Sequence, residues 1–442
     1  MKTRLILLLP FLWLLIGCSD SEPNTDTAIL KVSKTEFKSV SANGETITIN
    51  IQSNHNWNIN SNNQWCTTDI SSGENNGKIK IEVSKNSEAY TRAATITVEA
   101  DGVQEKISII QNGKQLSTEE LNSHHYKLPV VFHVLYKDKN NSTQYMRTSR
   151  ASDLVIACNK YYQNLLGSKS VDMNLEFVLA TKDPEGNTLS EPGINRIQVD
   201  EPTIDCEKFM ENKDNLKYLW DSNRYINIML YTFSNKNILG ISHIPYTVTP
   251  DRLDGLHQLN FLPEHSSLSY PHCTSINNTY IYETPSIEGK GYYNSRDVVA
   301  TIAHELGHYL GLFHAFNQAQ DKDGNTITDI CEDTDYCEDT PPYNRAKYEI
   351  YFTGYIQANG GTITNKDLPA LMLRKNCSTG EESTPNNVMD YEISWVNRFT
   401  DNQRSRVRYV LTHSPLVPGP KVTRTITRAT TSPQEFPMRM IK

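Results

Sequence analysis

Alternation of apolar and polar residues dominates the first part of the chain. The segments ETITINIQS, GKIKIEVSKN and AATITVEADG alternate with a period of two, and clusters of Asn, Gly and Ser separate them. Such alternation is typical of short strands that bury one face. Strands of this length and spacing predict a small β-sandwich over residues 28–113.

The pattern changes after a polar linker, residues 114–125. The runs LPVVFHVLY and YINIMLYTF are typical of buried strands, and VDMNLEFVLATKD alternates. The segments SRASDLVIACNKYYQNLLG and VVATIAHELGHY carry apolar residues at helical spacing. This order of elements predicts an α/β half-domain that starts near residue 126.

The rest of the chain is less regular. Residues 317–376 are predicted to be rich in loops, because acids, Gly and Pro cluster there. A last helix, TDNQRSRVRYVLTHS, is predicted to begin at a capping box formed by Thr400 and Gln403. The domain is expected to end at residue 415, and residues 416–442, which lack periodicity, are predicted to be a disordered tail.

Three of the chain's 12 histidines lie within the segment HELGHYLGLFH. His304 and His308 are about one helical turn apart, so both face the same way. His314 can join them only if the chain turns first, and Gly311 is the residue type that leaves a helix through a left-handed conformation. The spacing therefore predicts two metal ligands on a helix and a third on the turn that follows.

The residue types indicate a catalytic zinc site. Three neutral imidazoles with an open fourth position are typical of catalytic zinc, whereas structural zinc sites are closed by four protein ligands. Zinc lowers the pKa of a bound water to roughly 7. Glu305 is the expected general base, which takes the proton of that zinc-bound water and passes it to the leaving amine. Histidines that only cap or pack are the structural alternative.

These residues resemble a known signature. HELGHYLGLFH has the form H-E-x-x-H-x-x-G-x-x-H of the metzincin metalloproteases. NVMDY followed by FTDNQRSRV is similar to motifs of the pappalysin family within that clan. The resemblance implies an α/β (α+β) zinc endopeptidase domain over residues 126–415. It also implies that Met389 forms a Met-turn beneath the zinc and that Tyr391 stabilises the oxyanion, although Tyr391 could instead only pack below the site.

The same resemblance has consequences for the cleft. Asn237–Tyr246 matches the family's upper-rim strand, along which an extended peptide would pair, although an ordinary sheet strand is an alternative. The segment EISWVNR lacks the paired acids and the cysteine that family members often carry after the M-D-Y triplet. A preference for cutting before Arg or Lys is therefore in doubt, although Glu392 could replace part of that charge.

Two further features follow from the family comparison. The cysteine framework is incomplete, and a Cys337–Cys377 bridge would contribute about 4 kcal/mol in the chain-entropy model. Related enzymes bind calcium in the region after the zinc helix, where oxygen ligands could bind Ca²⁺, although a solvated acidic loop fits equally well. The acids in this region are Asp321, Asp323, Asp329, Asp333, Asp335 and Asp339.

The predicted sandwich also resembles a known module. The run from WNINSNNQWCTTD to IIQNG is similar to the BACON family, which has an immunoglobulin-like fold and is often supposed to bind carbohydrate or mucin. Trp57 and Trp65 could stack on sugars. Packing of both side chains within the sandwich is the favoured interpretation.

The N-terminus indicates export. MKTRLILLLPFLWLLIGC has early cations and a short apolar run, which predicts a signal peptide over residues 1–17. LLIGC resembles the bacterial lipobox, so Cys18 is the expected lipidation site and residues 18–27 a tether. The protein is accordingly expected to be an outer-membrane lipoprotein exposed at the cell surface. The alternative is an ordinary signal peptide in which Cys18 is incidental.

The net charge and the cysteine count limit the possible partners and the possible disulfide pairing. A net charge of -8 and a pI near 5.9 argue against a nucleic-acid partner. Disulfides suit an exported protein, but the seven cysteines that follow Cys18 are an odd number, so at least one stays unpaired.

Together these patterns predict a lipid-anchored zinc endopeptidase that acts on extracellular proteins or peptides. The alternative is a glycan- or mucin-binding surface lipoprotein whose protease domain is latent or ancillary. A third possibility, in which Cys66 or the linker blocks the zinc, has no switch-like cysteine motif to support it.

Overall fold

The computed structural model describes residues 27–167, 169–316, 318–320, 326–391, 393–423 and 440–441. The predicted signal peptide, Cys18 and almost all of the tether lie outside these residues. Within the described part of the chain, no helix is both long and apolar enough to cross a membrane.

The N-terminal part is a β-sandwich of two sheets, as predicted. Its strands are β1 (Leu30–Val32), β2 (Glu36–Val40), β3 (Glu45–Ser53), β4 (Asn56–Ser61), β5 (Cys66–Thr68), β6 (Ser72–Glu74), β7 (Gly77–Val83), β8 (Arg92–Ala100) and β9 (Val103–Gln111). One sheet has the order β1-β3-β7-β5 and the other the order β2-β9-β8-β4-β6. Alternate residues of the long strands point into a shared core, which is why the period-two pattern predicted them.

Two alternatives stated for the sandwich are wrong, whereas the favoured interpretation that Trp57 packs within it is confirmed. Trp57 is 1% exposed, its Nε1 donates to the carbonyl of Asn75 at 2.9 Å, and Gly73 and Gly77 leave room for its ring, so it cannot stack on a sugar at the surface. Cys66 is buried in the sandwich core, and burial raises the pKa of its thiol to about 11, so it is not a zinc-blocking cysteine.

The second part of the chain is built on a mixed sheet. The strands are β10 (Tyr126–Tyr136), β11 (Leu175–Leu179), β12 (Ile194–Gln198), β13 (Ile226–Tyr231), β14 (Gly240–His243), β15 (Thr247–Val248), β16 (Gln258–Leu259), β17 (Thr274–Asn277), β18 (Ala319–Gln320), β19 (Thr326–Ile327), β20 (Arg374–Lys375), β21 (Glu382–Ser383) and β22 (Met440–Ile441). The large sheet has the order β11-β10-β13-β17-β14-β22, with β12 also on β10. The pairs from β11 to β17 are parallel, whereas β14 is antiparallel to β17.

The helices are α1 (Thr118–Ser123), α2 (Thr148–Tyr162), α3 (Cys206–Glu211), α4 (Val298–Tyr309), α5 (Arg345–Ala358), α6 (Leu368–Leu371) and α7 (Asp401–His413). Short 3₁₀ segments span Lys213–Tyr218, His265–Ser267 and Asn278–Tyr280. The apolar helix α4 packs between α2 and β14, and its buried residues join the main core. The capping box of Thr400 and Gln403 begins α7 as predicted.

The segment predicted to be loop-rich contains the 14-residue helix α5. Its apolar residues are spread around the helix and only Tyr348 is buried, so no amphipathic pattern marked it in the sequence. The Cys337–Cys377 bridge considered from the family resemblance does not form, because Cys377 bonds Cys331. The other described cysteines, among them Cys337, are buried thiols.

The predicted disordered tail is ordered in part. Leu416 and Val417 are buried, and the backbone N–H of Leu416 donates to Asn223 Oδ1 at 3.0 Å. Met440 and Ile441 form β22, which pairs antiparallel with His243 and Ser242 at the outer edge of β14. Both pieces depend on partners far away in sequence, so no local pattern could predict them.

Candidate metal centre

The helix α4 places the first two histidines at the centre of the domain. Asp297 begins it, because its Oδ1 accepts from the N–H groups of Val299 and Ala300 at 3.0 and 3.1 Å. The helix ends before Gly311, whose φ of +92° is left-handed, as the sequence predicted. The turn brings His314 back beside the helix, where its ring lies 4.7 Å from that of His308.

The Nε2 atoms of the three imidazoles converge. His308 Nε2 lies 3.0 Å from His304 Nε2 and 3.1 Å from His314 Nε2. The candidate ligand atoms all lie within 4.8 Å of one another, and this is the one such cluster of His, Cys, Asp or Glu found among the described residues. All three rings are buried.

The hydrogen bonds of the Nδ1 atoms indicate which tautomer each of the three histidines adopts. Each Nδ1 faces an oxygen that can only accept: Val388 O at 2.7 Å for His304, Leu312 O at 2.8 Å for His308 and Gln318 Oε1 at 2.8 Å for His314. Burial lowers the pKa of His304 to about 4 and that of His314 well below its usual range. Neutral rings that donate from Nδ1 present Nε2 lone pairs to one another, an arrangement that a shared cation relieves.

Glu305 points into the same region but is not part of the cluster. It is 3% exposed, and no described residue hydrogen-bonds its Oε2. Burial raises the pKa of its carboxyl well above the usual range. The space it occupies exists because residue 240 is a glycine, since a Cβ there would lie 2.6 Å from Glu305 Oε1. Burial of a carboxylate oxygen without a hydrogen-bond partner costs free energy, and a purely structural role for Glu305 does not account for that cost.

A tight turn forms the floor below the histidines. Met389 is fully buried, and its N–H donates to Asn387 Oδ1 at 2.9 Å. Its sulfur packs against the helix at Gly307, where a Cβ would lie only 2.4 Å from Sδ. The turn is tied to the histidine cluster at two points, because Val388 O accepts from His304 and the carbonyl of Met389 accepts at 2.9 Å from the N–H of Ala315, the residue after His314.

Tyr391 lies beside the histidines. Its ring centroid is 4.3 Å from that of His314 and 5.3 Å from that of His304. The guanidinium of Arg345, at the start of α5, lies 4.9 Å from the same ring. The sequence analysis did not single out Arg345 and Gln318, which belong to no recognised motif, nor Gly240, which lies in the expected upper-rim strand, because each reaches the site through tertiary contacts.

A cleft of about 380 Å³ opens in front of Glu305. Asn237–Gly240 form one wall and α4 forms another, while the chain after Met389 closes the third side. Glu392, which was expected to supply charge near this side, lies outside the described residues. The expected upper-rim strand, Asn237–Tyr246, is regular only at β14, and the residues before it line the cleft.

The acidic residues after α4 do not converge on a cation site within the described part of the chain. Asp333 Oδ1 accepts backbone N–H groups of Asp335 and Tyr336, and Asp335 Oδ2 accepts from Thr340 at 2.7 Å. Asp339 accepts from the N–H of Asn402 at 3.0 Å. Asp321 and Asp323 lie outside the described residues. These contacts do not support the calcium hypothesis.

Two family matches cover separate parts of the chain. The family described as viral BACON domain matches residues 29–114, and the peptidase family described as pregnancy-associated plasma protein-A matches residues 274–412. An extracellular metalloprotease of Arthroderma otae is 30% identical over 108 residues, which are 24% of this chain and 29% of that protein. The chain thus matches less than a third of that relative's length.

Similar solved structures include mature mirolysin of Tannerella forsythia in complex with a cleaved peptide, with 22% identity and a TM-score of 0.41 over 65% of this chain and 91% of that chain. A GH5 xyloglucanase of Bacteroides ovatus, in complex with a heptasaccharide, has 15% identity and a TM-score of 0.19 over 47% of this chain and 56% of that one.

The two resemblances stated from the sequence are thus confirmed. Residues 29–114 are thus similar to the BACON domain family, and residues 274–412 are similar to the pregnancy-associated plasma protein-A peptidase family.

Proposed function

We propose that this protein is an exported zinc endopeptidase that hydrolyses peptide bonds of extracellular proteins or peptides. One observation carries the proposal: three converging imidazole nitrogens lie beside a buried carboxylate that no described residue neutralises, at the wall of an open cleft. His304, His308 and His314 would hold the ion. Three protein ligands leave a coordination position for chemistry.

The surroundings of the histidines support a zinc ion. A bound Zn²⁺ supplies Lewis acidity, which polarises a carbonyl and lowers the pKa of water. The oxygens of Val388, Leu312 and Gln318 hold each ring in one orientation and in the tautomer that leaves Nε2 available.

Glu305 would act as general base and then as general acid. Its carboxyl accepts the proton of the attacking water and delivers it to the nitrogen of the leaving amine. Burial raises its pKa and so strengthens it as a base, while a cation held by the histidines favours the ionised form. The glycine at residue 240 leaves the space that this carboxylate occupies.

Tyr391 would stabilise the charge that develops on the substrate's carbonyl oxygen, by donating a hydrogen bond from its phenol. The contacts with His314 and Arg345 support this role, because they hold the ring next to the reacting centre. The alternative, that Tyr391 only packs below the site, predicts that Tyr391→Phe keeps full activity.

Export and anchoring rest on the N-terminal sequence. The LLIGC pattern supports lipidation of Cys18, and the relative in Arthroderma otae is named as extracellular. If Cys18 carries the anchor, Cys18→Ala should move the protein from the membrane fraction to the soluble fraction, and an unchanged distribution would contradict it. Glycan binding by residues 28–113 has less support, because Trp57 is buried.

The decisive experiment uses two forms of the chain from residue 19, the unmodified sequence and its Glu305→Ala variant. Each is incubated with a mixed peptide library, and peptide cleavage is measured. We expect cleavage by the zinc-loaded protein and none after chelation. Glu305→Ala should bind one zinc per chain yet lose at least about 10³-fold in kcat/KM, since it keeps the ligands and removes the base. A folded, zinc-loaded protein that cleaves nothing would refute the proposal.

A further inference from the structure

The cleft beside Glu305 forms a pocket with mostly uncharged walls. Its helix wall comprises Asp297, Ala300 and Thr301, and its far wall comprises Ser394 and Val396. In the proposed reaction Glu305 protonates the leaving nitrogen, so the residue that carries this nitrogen must lie next to Glu305. The pocket that opens there would receive that residue's side chain.

The two other carboxyls at the walls are already engaged. Asp297 Oδ1 accepts the N–H groups of Val299 and Ala300, and its Oδ2 accepts that of Ser286 at 2.7 Å. Asp390 accepts from the phenol of Tyr343 at 2.5 Å and from the N–H of Tyr391 at 2.8 Å, and it lies 3.9 Å from Arg374 Nε.

The charge balance of the pocket therefore disfavours ionised substrates. Among the described residues that line it, none is Lys or Arg, and the only acid that lacks N–H, O–H or guanidinium partners is the proposed base, Glu305. A cation brought into this pocket would lose water without gaining an anionic partner of its own. An added anion would find no Lys or Arg among these lining residues, so it would lose water without gaining a cationic partner.

Val396 stands out on the far wall. Its φ of 42° is left-handed, a region that β-branched residues rarely adopt and that Asn and Asp tolerate. The loop holds it there: the N–H of Asn397 donates to Asn386 O at 2.8 Å, and the side chain of Asn397 bonds Glu288. The parallel bridge between Asn387 and Arg398 closes the loop. Strain held by its surroundings at a cleft wall is a feature of functional positions.

We propose that this pocket selects an uncharged residue, aliphatic or neutral polar, immediately after the scissile bond, and that Val396 is a specificity-determining residue for this choice. The inference rests on the proposed peptidase function and adds the class of substrate. It also accounts for a β-branched residue at a backbone conformation that such residues rarely adopt, because the apolar side chain of Val396 keeps the wall uncharged.

The test uses quenched peptides that differ only in the residue after the cleaved bond: Leu, Val, Gln, Lys, Arg or Glu. For the zinc-loaded chain, we expect kcat/KM for Leu, Val or Gln to exceed that for Lys, Arg and Glu by at least about 10-fold, which corresponds to about 1.4 kcal/mol. Equal or better cleavage before Lys or Arg would overturn the inference.

Two matched variants isolate the charge. The Asp and Asn side chains introduced by Val396→Asp and Val396→Asn have nearly the same shape as each other. Both residue types tolerate the left-handed backbone conformation, so both variants should fold. Val396→Asp should raise the ratio of kcat/KM for Lys over Leu by about 10-fold or more, whereas Val396→Asn should leave it within about 3-fold, since only the first adds an anion. The same change in both variants would overturn the role of Val396.

A binding measurement separates this inference from the peptidase proposal. Zinc-loaded Glu305→Gln retains the pocket but lacks the base, so the Kd values of the same peptides can be measured by fluorescence anisotropy. We expect the Leu peptide to bind at least about 5-fold more tightly than the Lys peptide. If the wild type cleaves nothing, the peptidase proposal fails, and this ratio still decides whether the pocket excludes charge.

Discussion

Gly240 and Glu305 share one space in the structure: a Cβ at residue 240 would lie 2.5 Å from Glu305 Cγ and 2.6 Å from Oε1. Strand β14 and the helix of the histidines therefore meet at the proposed base. The absent side chain at residue 240 lets Glu305 face the cleft rather than be displaced from it.

Gly240→Ala should inactivate the protein without removing its metal. The new methyl group must displace the carboxylate, so we expect kcat to fall by about 100-fold or more while one zinc remains bound. Gly354→Ala is the matched control, because a Cβ there meets no atom within 4 Å, and it should keep full activity. Full activity of Gly240→Ala would mean that the position of Glu305 does not matter.

Gln318 orients the third ligand, because its Oε1 accepts the Nδ1 proton of His314 at 2.8 Å. Gln318→Leu should weaken zinc affinity by about 10- to 100-fold, as expected when a ligand loses its hydrogen-bond partner. Gln318→Glu keeps an acceptor and should retain most of the affinity. Competition with a chromophoric chelator measures both variants, and equal affinities for Leu and Glu would exclude the orienting role.

If an extended substrate pairs along β14, as the family resemblance implies, it would compete with β22 for part of that edge. Strand β22 pairs with Ser242 and His243, on the same strand as Gly240, and runs from Met440 to Ile441 toward that glycine. A chain that ends at Thr423 should therefore show a higher kcat/KM, by about 3-fold or more, for peptides long enough to pair with this edge.

A short peptide that does not reach Ser242 is the control substrate and should be cleaved at an unchanged rate. Met440→Pro in the full chain should act like the truncation, because proline cannot donate to a strand ladder. Unchanged rates for long peptides in both variants would show that β22 does not compete with substrate.

The Cys331–Cys377 bridge closes a loop with a sequence separation of 46 that contains α5. Cys331→Ser should lower the free energy of unfolding by about 4 kcal/mol in the chain-entropy model, and a reductant should abolish the difference from the wild type. Cys337→Ala removes a buried thiol but keeps the bridge, so a reductant should lower its free energy of unfolding by the same amount as that of the wild type. Peptide mapping without reduction should recover residues 331 and 377 in one linked fragment.

Local patterns in the sequence determined the parts that depend on short-range physics. The alternation of ETITINIQS placed a sandwich strand, because burial of one sheet face requires period two. The spacing of His304, His308 and Gly311 placed two imidazoles on one helix face and a left-handed turn after them, because helix geometry and glycine sterics are local.

Only the tertiary structure decided the remainder, because those contacts join residues that are far apart in the chain. Cys377 meets Cys331 rather than Cys337, Gly240 makes room for Glu305 from another strand, and β22 returns to an edge far from its neighbours in sequence. Such choices depend on how whole elements pack, and no period in the local sequence encodes them. The imidazoles could be predicted from the helix, whereas the pocket that selects a substrate is set by how the chain folds around them.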